Sequence, residues 1–327
     1  MRASRANDKV GPDRLRPRVG LGMPVYNGER YISEAIESIL AQTFDEFELL
    51  IVDNASTDGT GEICRDFEAK DERIRYIRNR ENYGIVSNFN SVFKLSSGEY
   101  FKWASYDDVC GPDFLLRCTQ VLDGDPSIVL SYPQIVNIDE RGLRVEYPQD
   151  IPDVNSPDGM FSDDPVTRFR TWMRNLGFTE PLYGLIRADV LAKTPLHAHH
   201  FIGDHIVLSE LCLHGKFYEI REDLFFRRVH GAMTTALVPT LRKRVDNVDV
   251  DPQARMGPYW WRLVRPYPRR VWWHLQGVRR APLTHRERAL CYAEVVRAVG
   301  AWVLRKTATA VTATRDGLAH VRSRANR

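Results

Sequence analysis

Two adjacent carboxylates, Asp107 and Asp108, are the densest chemical signal in this sequence. Hard divalent cations want oxygen ligands, and Mg²⁺ or Mn²⁺ on a diphosphate takes only one or two carboxylates from a protein, so this pair suffices. The pair also reads as a charge cluster ahead of a helix beginning near Phe114 and Leu115. A second set lies late in the chain, in Phe225-Phe226-Arg227-Arg228-Val229-His230. There His230 can ligate a metal as neutral imidazole, and Arg227 or Arg228 can clamp phosphate. Asp53 closes an apolar run and opens the small polar cluster Asp53-Asn54-Ala55-Ser56-Thr57-Asp58-Gly59. Its carboxylate can accept from a base N–H or a ribose hydroxyl, with Pro24 and Tyr26 lining the base. The other uses of these aspartates are an Asx-turn at Asp53 and an N-cap at Asp58 for a helix starting at Gly59.

Such groups need a scaffold, and the first third of the chain carries the pattern of one. Residues 19–25 are an apolar run closed by Pro24 and the turn pair Asn27-Gly28, after which Ile32, Ile36, Ile39 and Leu40 recur at helical spacing. Residues 47–52 predict a second strand, 61–67 a second helix, 73–77 a third strand and 84–95 a third helix. A fourth strand over 100–104 runs into Tyr106-Asp107-Asp108. This alternation implies a mostly parallel sheet with helices on both faces, whose ligands bind beyond the carboxyl ends of the strands. Asp53 and Asp107 both fall there, so one ligand spanning the two is expected.

Four segments taken in order resemble family 2 glycosyltransferases of the GT-A fold: Met23-Pro24-Val25-Tyr26-Asn27, Val52-Asp53-Asn54-Ala55-Ser56-Thr57-Asp58-Gly59-Thr60, Asn82-Tyr83-Gly84-Ile85, and Asp107-Asp108 followed by Pro112. A looser likeness continues through Tyr183-Gly184-Leu185 and Gly203-Asp204-His205 to His230. The resemblance implies an α/β nucleotide-diphospho-sugar transferase fold, a Rossmann-like mixed sheet flanked by helices with a C-terminal helical extension. It also implies a donor-binding set of Pro24, Tyr26, Asn27, Asp53, Ser56, Asp58, Arg78, Asn82, Gly84, Ser105, Asp107, Asp108 and Arg228. A divalent metal, Mn²⁺ or Mg²⁺, is expected on Asp107 and His230. Asp204 is the expected catalytic base, taking the acceptor hydroxyl's proton in an inverting transfer through an oxocarbenium-like transition state. Its other reading is an N-cap before the apolar segment containing Ile206 and Leu213.

The chain departs from the family pattern at two positions. Aligning on Pro112 puts Ser105 where the first Asp of an Asp-x-Asp motif belongs, and a serine can bond ribose but brings no charge to a metal. Gly203 stands where relatives carry Glu. Arg78 reads either as a phosphate partner or as a solvated surface residue. His197, His199, His200 and His205 are expected mostly as loop residues shaping an acceptor pocket, while Trp103 and Trp172 read as sugar-facing or as buried aromatics.

The 327 residues are 43% hydrophobic and 27% charged, an ordinary globular composition without a collagen-like or solenoid period. Five cysteines without CxxC spacing argue against a disulfide framework or a thiolate zinc site and fit a reducing cytoplasm. The net charge of +3 conceals an asymmetry: residues 255–327 hold sixteen Lys/Arg against Glu287, Glu294 and Asp316, together with five of the seven Trp. The expected organisation is a flexible basic tail over 1–17, a catalytic domain over 18–235 and a basic, Trp-rich helical extension over 236–327. The catalytic domain divides into a nucleotide half, about 18–125, and an acceptor half, about 126–235. Tyr292, Val295, Val296, Val299, Trp302 and Val303 form a helical stripe in the extension. That stripe either packs as core or lies on an anionic membrane, and a charge excess beyond what packing requires points to the membrane. No run reaches the ~18 uncharged apolar residues of a membrane span, so a peripheral place on the cytoplasmic face is expected. The expected partners are a UDP-linked sugar donor and a glycolipid or glycan acceptor of cell-envelope or polysaccharide biosynthesis, with no nucleic acid. Two alternatives stand beside this reading. A sugar nucleotidyltransferase needs a Gly-rich basic loop after its first strand, which Pro24-Val25-Tyr26-Asn27-Gly28 is not; a non-catalytic nucleotide-sugar or lipid-binding module is suggested by Ser105.

Overall fold

A computed structural model describes residues 17–146, 159–175, 179–197, 203–230 and 266–300. Strands β1 (Val19–Val25) and β2 (Phe47–Asp53) are buried almost throughout, as strands covered on both faces must be. They pair in parallel from Val19 opposite Phe47 to Val25 opposite Asp53. Strands β3 (Ile74–Arg78) and β4 (Tyr100–Trp103) extend the parallel ladder on either side. The crossovers are α1 (Ile32–Leu40), α2 (Thr60–Lys70) and α3 (Ile85–Leu95). Helix α1 buries Ile32, Ala35, Ile36 and Ile39, a stripe at helical spacing that packs with Leu21, Met23 and Leu49. Leu50, Val52, Phe101 and Trp103 belong to a second core on the other face, with Val92 of α3. Pro24 does not close β1 but lies buried inside it, opposite Val52.

Beyond β4 come β5 (Val109–Cys110), α4 (Phe114–Gly124), β6 (Ile128–Ile138), α5 (Pro165–Arg174) and a 3₁₀ turn over Glu180–Tyr183. Then follow β7 (Leu185–Arg187), α6 (Ala188–Leu191), α7 (Gly203–His214) and β8 (Lys216–Arg228). The eight described strands form one sheet in the order β3-β2-β1-β4-β7-β6-β8-β5. Strand β7 runs antiparallel to both β4 and β6, and β5 antiparallel to β8. The sheet is therefore mixed; strand–helix alternation foretold only its β3-β2-β1-β4 half, because β7 enters from distant sequence.

Helix α8 (Pro266–Arg280) and a further described helix over 285–300 lie against α5 and α7. Val278, Ala281, Leu283, Cys291 and Val295 join the core around Trp172, so the inner face of the extension is core. Its outer face keeps Trp272, Leu290 and Val296 exposed. Trp302, Val303 and the segment 259–264 lie outside the described residues. Trp103 and Trp172 are both fully buried, as are His197 and His205 to within a few per cent. The two histidines therefore do not line a pocket wall, since their rings pack on Trp103 and Trp172 respectively; His199 and His200 lie outside the described residues.

Candidate active site

The loop after β2 is built around Asp53, whose side chain is fully buried. Its Oδ1 accepts from the Ser56 N–H (2.8 Å), and its Oδ2 accepts from the Tyr76 hydroxyl (2.7 Å) and the Arg78 guanidinium (3.1 Å). The side chain thus closes its loop onto the N–H three residues on, not two as in an Asx-turn, and combines that bond with an ion pair. Burial, with Asp53 beside it, pushes the Tyr76 phenol up to about 12. Tyr76 belongs to none of the sequence motifs, although period-two alternation on β3 puts it on the face of Arg78. Arg78 also donates to the Ser56 carbonyl (2.7 Å), yet its side chain stays 43% exposed. Asn79 and Asn82 lie in the turn before α3, and both bond Asn54. Asn82 Oδ1 also accepts from the Gly84 N–H, and Gly84 takes φ +84°, where open space shows that backbone conformation, not crowding, calls for glycine.

The turn after β1 is locked to this loop. The Asn27 N–H donates to Ser56 Oγ (2.9 Å), Asn27 Oδ1 accepts from the Thr57 N–H (2.8 Å), and the Gly28 N–H donates to Thr60 Oγ1 (2.8 Å). Asp58 accepts from the Thr60 and Glu29 N–H groups and the Thr60 hydroxyl. Against the upward push of burial, those bonds hold its carboxyl below the usual range. Asn27, Ser56, Asp58 and Asn82 thus spend their side chains on loop geometry, and Tyr26, 44% exposed, faces outward. Asn27 and Ala55 both sit at positive φ (54° and 64°), unusual for residues other than glycine and concentrated at ligand-binding turns.

On the far side of β1, the loop after β4 carries the acidic group. Ser105 Oγ donates to Asp107 Oδ1, and Asp107 Oδ2 lies 3.0 Å from His230 Nε2. Asp107 and His230, 123 residues apart in sequence, therefore meet because β8 delivers its end beside the loop. Asp108 turns inward, its Oδ1 accepting from the Arg228 N–H (2.9 Å); burial and the charge of Asp107 push its carboxyl up. Arg228 is not placed to clamp phosphate. Its 1%-exposed side chain donates to the carbonyls of Asp107 (3.0 Å) and Asp139 (3.1 Å) and pairs with Glu34 (2.6 Å), lying over the Tyr31 ring. Below the loop, fully buried Lys102 donates to the Tyr183 carbonyl between the rings of Phe114 and Phe225. Neither Lys102 nor Tyr31 carries a sequence signal of this role.

Tyr106 joins the two loops. Its ring edge would stand 2.8 Å from a Cβ on Gly28, so the β1 turn is wedged between Tyr106 and the Ser56–Thr60 segment. Burial first, then Asp107, Asp108 and Asp58, push its phenol up to about 12, so carboxylates of both loops act on one ring. Strands β2 and β4 flank β1, which puts their ends about 10 Å apart, two ladder spacings. Asp204 lies in the first turn of α7, after Gly203, and its Oδ1 accepts from the His205 N–H (2.7 Å). Desolvation first, then the charges of Asp108, Asp107 and Asp204, push the phenol of half-buried Tyr183 up.

Among the described residues no group of three or more His, Cys, Asp or Glu has metal-holding geometry. Asp107 with His230 nevertheless fits a divalent ion shared with a diphosphate, since phosphate and water oxygens complete such a shell. All five cysteines are free.

The chain matches the profile of Glycosyl transferase family 2 over residues 21–191. It belongs to that family. Among relatives in family 2, chondroitin synthase of Escherichia coli is 29% identical over 238 residues, 71% of this chain and 32% of that protein. An uncharacterized glycosyltransferase of Rickettsia felis is 36% identical over 132 residues, 40% of this chain and 22% of that one. The chain therefore spans a third or less of the length of these relatives. Two solved structures share the GT-A fold. S. aureus TarS 1–349 in complex with UDP-GlcNAc aligns with a TM-score of 0.51 at 15% identity over 88% of this chain and 92% of that one. The mannosyltransferase PcManGT of Pyrobaculum calidifontis, in complex with GDP-Man and Mn²⁺, aligns with a TM-score of 0.50 at 17% identity over 95% and 83%.

Proposed function

We propose that this protein is an inverting, metal-dependent glycosyltransferase that moves one sugar from a UDP-sugar to a hydroxyl of a glycolipid or glycan acceptor in cell-envelope or polysaccharide biosynthesis. The observation that carries the reading is the wedge of Gly28 between Tyr106 and the Ser56–Thr60 segment. It links the Asp53 and Asp107 loops along one sheet edge, and strand ends two ladder spacings apart, about 10 Å, support a nucleoside diphosphate lying between them. Residues 18–235 are the unit that performs the transfer, with the described helices of 266–300 sharing its core.

In this reading Tyr26 and the loop that buried Asp53 holds in shape receive the nucleoside, and Arg78, the exposed partner of Asp53, reaches toward phosphate. Asp107 and His230 hold the divalent ion, which when bound offsets the diphosphate charge as the leaving group departs. Arg228 and Ser105 keep Asp107 in place. Asp204 takes the acceptor proton. The exposed Trp272 and Val296, with Arg279 and Arg297 beside them, present an interfacial face to anionic lipid on the cytoplasmic side, where a lipid-linked acceptor lies. Among the described residues no helix is long and apolar enough to cross a membrane.

The decisive experiment incubates the purified protein with Mn²⁺ and a panel of nucleotide sugars. Sugar transfer or slow donor hydrolysis with one of them supports the reading. Binding without turnover, with and without acceptor, leaves a nucleotide-sugar-binding module instead.

A further inference from the structure

Helix α7 carries Asp204 in its first turn, and every residue from His205 to Leu213 is buried. A helix enclosed on all sides must find partners for its polar side chains. Those of Ser209 and Glu210 find them on α8. Glu210, 1% exposed, receives two parallel bonds from the Arg280 guanidinium, Nε to Oε1 at 2.8 Å and a terminal nitrogen to Oε2 at 2.7 Å. A Cβ on Gly277, one turn earlier on α8, would stand 3.3 Å from that Oε2, a tight contact that glycine avoids. Ser209 Oγ lies within hydrogen-bond distance of both the Ile206 carbonyl (2.7 Å) and His274 Nδ1 (3.0 Å), so it joins α7 to α8.

The contacts continue to Asp204. The His274 ring stands edge-on to His205, with centroids 5.6 Å apart. His205 rests against Trp172 (5.0 Å), its carbonyl accepts from the Trp172 indole N–H (3.2 Å), and its own N–H donates to Asp204 Oδ1. We infer that α8 holds the first turn of α7 in its working position, with His274 and Arg280 as positioning residues for Asp204. This rests on the reading of Asp204 as the base. Proton removal from an acceptor is sensitive to misplacement of about 1 Å, so a loosened α7 costs turnover without touching the donor pocket.

The test uses the full chain and the variants H274A, H274N, R280A and R280K. H274A and R280A are expected to lower kcat at least ~10-fold while donor KM and calorimetric UDP affinity stay within about twofold. H274N, whose amide can still hydrogen-bond Ser209 as donor or acceptor, is expected to recover much of that loss. Should H274A fail to fold, R280K decides: it keeps the charge but not the fork, and kcat falls while UDP affinity holds. Unchanged kcat in R280A and H274A, or a loss of UDP affinity as large as the loss of kcat, overturns the inference. D204N assayed alongside separates the two claims. If D204N turns over like the parent, the base reading fails. The brace is then judged by hydrogen exchange, standing if H274A speeds the amides of 203–209 but not those of 53–60, and falling otherwise.

Discussion

Asp107, Asp204 and His197 show how differently ionisable side chains are spent according to surroundings. D107A removes the only partly exposed carboxylate of the acidic pair, and turnover together with its divalent-ion dependence should vanish; Mn²⁺-stimulated activity surviving in D107A would move the ion elsewhere. D204N keeps shape and removes basicity, so kcat should fall by roughly 10²–10⁴ while donor affinity holds; a steady-state kinetic comparison decides. His197 is expected from the sequence beside an acceptor pocket, yet its ring packs edge-on between Phe89 and Trp103, and burial pushes it down to about 4. An unfolded histidine titrates near 6.5. Below that pH the unfolded chain takes up a proton that the fold refuses, so stability is withdrawn as pH falls from about 6.5 toward 4, by up to ~3 kcal/mol. Buried His205 acts in the same direction. Thermal melts at pH 7 and pH 5 should show a smaller fall in Tm for H197F than for the parent; equal falls would discount the effect.

At the scale of elements, the site is a set of strand ends whose loops hold one another. The β1 turn is the keystone, because its backbone and Asn27 bond the β2 loop while Gly28 admits Tyr106 of the β4 loop. G28A would place a methyl 2.7 Å from Val25 Cγ2 and 2.8 Å from the Tyr106 ring. It should cost about 1–3 kcal/mol of stability and weaken donor binding, and Y106L in the same chain should relieve part of both. Denaturant melts and donor titration of the two singles and the double give the coupling; strict additivity would mean the wedge is no wedge. Helix α3 and the strands around it were legible because their apolar positions recur at fixed periods. The delivery of β8 beside β5 was not, since pairing between segments more than a hundred residues apart leaves no local pattern.

For the whole molecule, the extension is two-faced. Val278, Leu283, Cys291 and Val295 complete the core over α5 and α7, so removing residues 266–327 should lower Tm or solubility as well as any membrane affinity. W272E addresses the outer face alone. Trp272 is 51% exposed and packs on Trp273, so the change should leave Tm and donor turnover near the parent's while reducing co-sedimentation with anionic vesicles several-fold. Undiminished sedimentation would assign the basic excess to some other surface. The charge asymmetry was plain in composition, but composition counts residues without saying which face of a helix they occupy.

The amino-acid sequence alone determined the strand–helix alternation, the turn glycines and the order of the acidic and amide motifs, because periodicity and backbone preference act over a few residues. Only the tertiary structure decided which of those polar groups face outward. It enclosed Asp53, Asp108 and Arg228 in internal bonds, joined Asp107 to His230, and set α8 against the helix of Asp204. Those outcomes depend on which distant surfaces exclude water from one another, and solvent exclusion is a property of the packed chain.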